Sequence, residues 1–267
     1  MPAALTPSFT PSPVPLTTQR FDAVDALRGL AMVWMTVFHF CYDLNHFGYW
    51  RRNFLIDPFW TWQRTLILSM FLFAAGMGQA VAVQQGQSWR RFWRRWAQVV
   101  VCALLVSAGS YVMFPRTFIY FGVLHGMAVM LLVVRLSAGG GRWLWGLGLV
   151  AIAASYTTII IANYATTTWE NIEFLNSKVA NWLGLVTRKP ATEDFVPLLP
   201  WLGVMWWGMA AGQWLLRHRP GWLSMPVVTG HPMVRALSAL GRWSLSFYLL
   251  HQPVMIGALM AAGWLAQ

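Results

Sequence analysis

Charge is what this sequence has least of: 10% of its 267 residues are Asp, Glu, Lys or Arg, and only 8 are acidic, whereas soluble domains carry about 25%. With 57% hydrophobic residues and a mean hydropathy of +0.50, a water-soluble fold is excluded. Cysteine is nearly absent as well. Cys41 and Cys102 both fall inside apolar runs, which excludes a disulfide framework or a Cys-based metal site and leaves them as small core residues. No histidine or carboxylate pair has the spacing of metal ligands, and Gly139-Gly-Gly141 sits in a short turn rather than a phosphate-binding loop. A secretory signal needs a basic start, but residues 1–20 are rich in Pro, Ser and Thr and uncharged before Arg20, the composition of a disordered tail.

Apolar length is what the sequence has in abundance. A spanning helix needs about 20 predominantly apolar residues, and candidates lie near 24–45, 60–83, 95–114, 117–135, 143–163, 196–216 and 237–264. The fold class is therefore all-α, a polytopic bundle of about seven transmembrane helices forming one domain over 21–267. Pro115 and Arg116 set a tight turn that makes the third and fourth spans a helical hairpin. The net charge of +11 sits mostly in short connectors. There it orients a membrane protein, so the implied partner is the lipid bilayer and not nucleic acid. The 18 Trp suit the two interfaces. Leaving aside Arg28 and Arg242 within spans, the side of the N-terminus carries ten Lys and Arg and the opposite side seven. The N-terminus is accordingly expected in the cytoplasm. The one long connector, about 164–195, then lies outside, with a short interfacial helix expected near 179–185 and Asp194 expected to be solvated or, as the alternative, to line an outer mouth.

Ionisable side chains at membrane depth are costly and by default mark a functional site. The first span holds Arg28, His39 and Asp43, with His46 at its far end and Asp22 and Asp25 at its start, where acid favours a helix N-terminus. Arg28 and His39 come back to nearly the same face, about 16 Å apart along the axis. His39 and Asp43 are i,i+4 neighbours. A carboxylate that accepts from one ring nitrogen leaves the other free to take a proton, as a general base must. His46 competes for the same carboxylate, and spacing does not choose between the two histidines. A structural reading stands beside this one, with Arg28 snorkelling to the interface and His39 making an interhelical hydrogen bond. In the last span Ser244, Tyr248, His251 and Gln252 share one helix face. A polar stripe in lipid must turn to other helices or a wet cavity, so this face is expected to look at the first span. His125 fits a structural hydrogen bond better than catalysis.

The run Asp25-Ala-Leu-Arg28-Gly-Leu-Ala followed by His39-Phe-Cys-Tyr42-Asp43-Leu resembles the bacterial membrane proteins grouped with the heparan-alpha-glucosaminide N-acetyltransferase catalytic domain. The likeness recurs at Phe71-Leu-Phe-Ala-Ala-Gly76, Phe121-Gly-Val-Leu-His125, Thr192 to Trp201, and Leu240 to Pro253, and so covers nearly the whole chain. It implies a multi-pass protein of the bacterial inner membrane that transfers an acyl group, acetyl above all. The donor would be cytoplasmic acetyl-CoA, a co-substrate rather than a bound cofactor, and the acceptor an amino or hydroxyl group of an extracytoplasmic glycan. The Arg28-to-His39 spacing is also similar to the arginine-then-histidine signature of the integral-membrane O-acyltransferases, which implies His39 as general base and Arg28 as a donor-holding residue. The lysosomal transferases imply instead a histidine just beyond the first span, for which His46 is the nearest candidate. The catalytic assignment stays split between His39 and His46, with Asp43 orienting. Tyr42, His125, Ser244, Tyr248, His251 and Gln252 are the further candidates for binding donor or substrate, and no metal is expected.

A different class remains open on the same residues, a small-solute transporter or flippase whose path the polar stripe would line. A non-catalytic membrane partner is the third reading. The oligomeric state is not legible, a homodimer being compatible with everything above.

Overall fold

A computed structural model describes residues 21–54, 56–164, 169–224 and 231–265. The expected tail at 1–20 lies outside the described residues. The helices are α1 Asp22–His46, α2 Pro58–Gln84, α3 Trp89–Met113, α4 Val123–Leu136, α5 Trp143–Tyr164, α6 Trp169–Asn176, α7 Leu198–His218, α8 Pro220–Ser224, α9 Pro232–Arg242 and α10 Ser244–Leu265. Among the described residues the β pairing is a single isolated bridge, Phe121 with Phe195.

Local chemistry starts the helices where the sequence changes character. Asp57 accepts from the Phe59 N–H while Pro58 takes the first helical position of α2, where a missing N–H costs nothing. Ser88 accepts from the Arg91 N–H at the head of α3. Among the described residues four helices, α1, α2, α3 and α10, are long and apolar enough to cross a membrane, and α4 and the 143–158 part of α5 are apolar but shorter. At 14 residues, α4 is roughly 21 Å long, short of the ~30 Å hydrocarbon core.

The expected fourth span began at 117, but α4 begins only at Val123, and the reason is visible in the backbone bonds. Residues 114–122 are held by other groups. Glu193 N–H donates to the Thr117 carbonyl at 2.9 Å and Val196 N–H to the Phe121 carbonyl at 3.2 Å. Ser110 accepts from the Ile119 N–H, and Ser107 donates to the Ile119 carbonyl. This segment spends its hydrogen bonds on the long connector and on α3, so it has no need of helix. The expected tight turn at Pro115 and Arg116 is therefore a wider loop. The last expected span is likewise divided, α9 ending at Arg242 with Trp243 (φ −98°, ψ 16°) as its C-cap before α10 starts at Ser244. In place of an interfacial helix at 179–185 there is one 3₁₀ turn, Asn181–Leu183, closed by Gly184 at φ +92°, with α6 preceding it.

Helix pairs approach through small residues, as membrane bundles do. A Cβ on Gly76 of α2 would stand 2.1 Å from the Met205 carbonyl oxygen, and one on Gly208 of α7 would stand 2.1 Å from that of Phe73. Gly29 of α1 and Gly241 of α9 interlock in the same way against Leu237 and Asp25. The larger core fills the space between α2, α4 and α7 with Leu72, Met77, Met127, Met130, Met205 and Met209. A smaller cluster of Met32, Met35, Phe38, Phe54, Trp60 and Ile67 joins α1 to α2. Outward faces are apolar. Val101, Leu104, Leu105 and Val112 of α3 are exposed, as are Leu250, Val254, Met260 and Trp264 of α10.

Candidate active site

The polar residues of α1 and α10 meet. Gln252 Nε2 donates to Asp43 Oδ1 at 2.8 Å. The rings of His39 and His251 face each other at 5.3 Å between centroids, tilted by 60°. The carboxylate that the i,i+4 spacing offers to His39 is thus taken by a residue of the last helix. No hydrogen bond joins His39 to Asp43. Four buried atoms of this cluster have no hydrogen-bond partner in the protein: His39 Nδ1, Asp43 Oδ2, His251 Nε2 and Gln252 Oε1. Native proteins pair nearly all such atoms with protein groups or water, so orphans drawn from two facing helices make this cluster a candidate site.

The surroundings hold the cluster in place. His251 is stacked on Phe247 at 5.9 Å and lies 5.7 Å from the Tyr248 ring. Tyr248 and Tyr42 are half-buried against the smaller apolar cluster, Tyr42 edge-on to Phe54. Ser244 is the first residue of α10. His46, by contrast, is exposed at the end of α1, with its ring edge-on to Phe47 and Phe114.

His125 has both ring nitrogens engaged elsewhere. Its Nδ1 accepts from the Gly122 N–H at 3.3 Å, and its Nε2 lies 3.1 Å from Ser107 Oγ. Since Nδ1 is an acceptor, the proton of the neutral ring is on Nε2 and goes to Ser107, which in turn donates to the Ile119 carbonyl. This chain of bonds starts α4 and anchors the loop before it. Asp194 joins the same corner: its Oδ2 accepts from the Val123 N–H at 2.7 Å, so it caps α4 instead of standing in solvent. Burial pushes the Asp194 carboxyl above the ordinary carboxylate range, against the pull of the Val123 N–H and Lys189.

Arg28 lies at the other end of α1, about 16 Å from His39 along the helix. It pairs with Asp25 at 3.2 Å, so that acid serves an ion pair as well as the helix start. The guanidinium fits because Gly78 has no side chain; a Cβ there would fall 2.1 Å from Arg28 Nη2. Arg28 opens on a cavity of about 350 Å³ lined also by Asp25, Gln85, Gln87, Arg91 and Arg95. The arginine cluster at 90–95 reads from sequence first as an orientation anchor, with attraction of acidic lipid or CoA phosphates as the alternative. The i,i+4 repeat of Arg91 and Arg95 sets both on one face of α3.

The sequence matches the family described as "Heparan-alpha-glucosaminide N-acetyltransferase, catalytic" over residues 20–253, a stretch that includes both the cluster and the arginine cavity. No curated protein and no solved structure matches it.

Proposed function

The chain belongs to the heparan-alpha-glucosaminide N-acetyltransferase catalytic family, and from that premise we propose that it is a membrane acyltransferase moving an acetyl group from cytoplasmic acetyl-CoA to an amino or hydroxyl group of a glycan across the bilayer. The observation that carries the reading is the set of orphaned polar atoms where α1 meets α10, with a cationic cavity at the opposite end of α1. Three arginines against one carboxylate suit the phosphates of CoA. The roughly 16 Å from Arg28 to His39 is a length that an extended pantetheine arm can span, so a thioester held there reaches the cluster. A histidine of the cluster takes the acceptor's proton, a contribution of about 10²–10⁴-fold. The family resemblance is what suggests the bacterial inner membrane, and the excess of Lys and Arg on the side of the N-terminus supports that end lying in the cytoplasm. In this reading α4, α5 and α7 complete seven crossings with the four long helices, and α4 does so together with the loop before it.

The test is consumption and transfer of radiolabelled acetyl-CoA by purified protein in detergent, with glucosamine and other hexosamine acceptors, comparing wild type with His39→Ala and His46→Ala. Transfer that survives His46→Ala supports the buried cluster as the centre. A folded wild type that neither binds nor consumes acetyl-CoA overturns the reading in favour of solute transport along the same polar path.

A further inference from the structure

The two histidines of the cluster are not equivalent. His251 Nδ1 lies 2.8 Å from the Tyr248 carbonyl oxygen. A carbonyl only accepts, so Nδ1 carries the proton and the neutral ring must present a bare lone pair at Nε2. That atom is buried and has no partner in the protein, and it belongs to the one buried residue of α10, whose exposed faces are largely apolar. Nothing comparable fixes the tautomer of His39.

We propose that His251 is the general base of the acyl transfer, acting through Nε2. The inference rests on the acyltransferase reading above and adds which group moves the proton. The acceptor's N–H or O–H donates to Nε2. As its lone pair attacks the thioester carbonyl carbon, the new N–C or O–C bond forms and the proton passes to His251. The C–S bond then breaks with its electrons on sulfur, and the imidazolium returns the proton to the CoA thiolate, leaving the ring neutral and requiring no further reactant. Asp43 Oδ2 and Gln252 Oε1 are acceptors too, so the ligand that completes the cluster carries several N–H and O–H donors, as an amino sugar does. Pro253 has no N–H for the Leu249 carbonyl and leaves α10 one backbone bond short beside Gln252.

The test compares acetyl transfer from labelled acetyl-CoA to glucosamine, and release of CoA thiol, for wild type, His251→Asn, His251→Ala and His39→Ala. Asn keeps an N–H where Nδ1 donates to Tyr248 but has no base at the Nε2 position. The expected result is a loss of about 10²–10⁴-fold in kcat for His251→Asn with acetyl-CoA affinity unchanged, partial rescue of His251→Ala by free imidazole, and a loss of about tenfold or less for His39→Ala. An active wild type whose His251→Asn variant keeps its kcat overturns this inference alone. A folded wild type that transfers nothing overturns the acyltransferase reading and the inference with it.

Discussion

Gln252 Nε2 donates to Asp43 Oδ1 at 2.8 Å, tying the last helix to the first across 209 positions of sequence. Interhelical side-chain bonds in membrane proteins contribute about 0.6 kcal/mol on average and at most about 1.7. Asp43→Asn keeps an oxygen for Gln252 and is expected to melt within about 0.5 kcal/mol of wild type. Asp43→Leu leaves the Gln252 amide unpaired in a buried place and is expected to cost about 1–2 kcal/mol. Thermal unfolding in one detergent, followed by Trp fluorescence, separates the two. Equal losses would mean that the charge, and not the bond, holds α10.

The α2–α7 crossing depends on two glycines whose missing side chains face backbone. At Gly76 and Gly208 the obstructing atoms are carbonyl groups of the partner helix, which cannot swing aside as a side chain can. Gly208→Ala is expected to destabilise by about 1–3 kcal/mol, the cost of overpacking. The control is Gly109 in α3, where a Cβ meets nothing. There Ala is expected to be neutral or to stabilise by up to about 1 kcal/mol, since helix propensity is then the only term. A Gly208→Ala protein that melts with wild type would sink the close-packing account.

Helical class and the apolar positions of most helices were legible, because a run of apolar residues in lipid has no alternative to helix. Where the reading failed, the backbone had found partners far away in sequence. Residues 117–122 look like helix until the pairing of Thr117 and Phe121 with 193–196 is known. The face shared by His251 and Gln252 could be read from spacing alone. That Gln252 and not His39 takes Asp43 could not, since i,i+4 geometry permits a bond without deciding which competitor wins. Asp194 failed for the same reason, its partner Val123 lying 71 positions away.

Asp194 also gives the fold a pH dependence with a definite sign. Burial raises its carboxyl pKa above the ordinary value, so the folded state binds that proton more tightly than the unfolded chain does. This group's contribution to stability is therefore fully present below the unfolded pKa and is lost as pH rises through the folded one. Asp194→Asn retains an oxygen for the Val123 N–H and carries no charge to bury. The variant is expected to melt higher than wild type at pH 7, with the gap closing as pH falls toward 4. A gap that widens on acidification would show that the charge stabilises α4 more than burial penalises it.

The arginine cavity yields a prediction that separates binding from chemistry. Arg91 and Arg95 are exposed at the head of α3 and border the cavity that Arg28 enters. In the acyltransferase reading they meet the donor's phosphates equally in ground and transition states, because no bond changes there. Removing them should therefore raise KM and leave kcat alone. The Arg91→Gln, Arg95→Gln double variant is expected to raise the KM for acetyl-CoA about 10-fold at low salt, and less in 0.5 M salt, where exposed charges are screened. Acetyl-pantetheine, which has no nucleotide phosphates, should be used equally well by both proteins. If the variant loses kcat, or loses acetyl-pantetheine turnover to the same degree, the arginines shape the reacting end and the donor does not enter by this cavity.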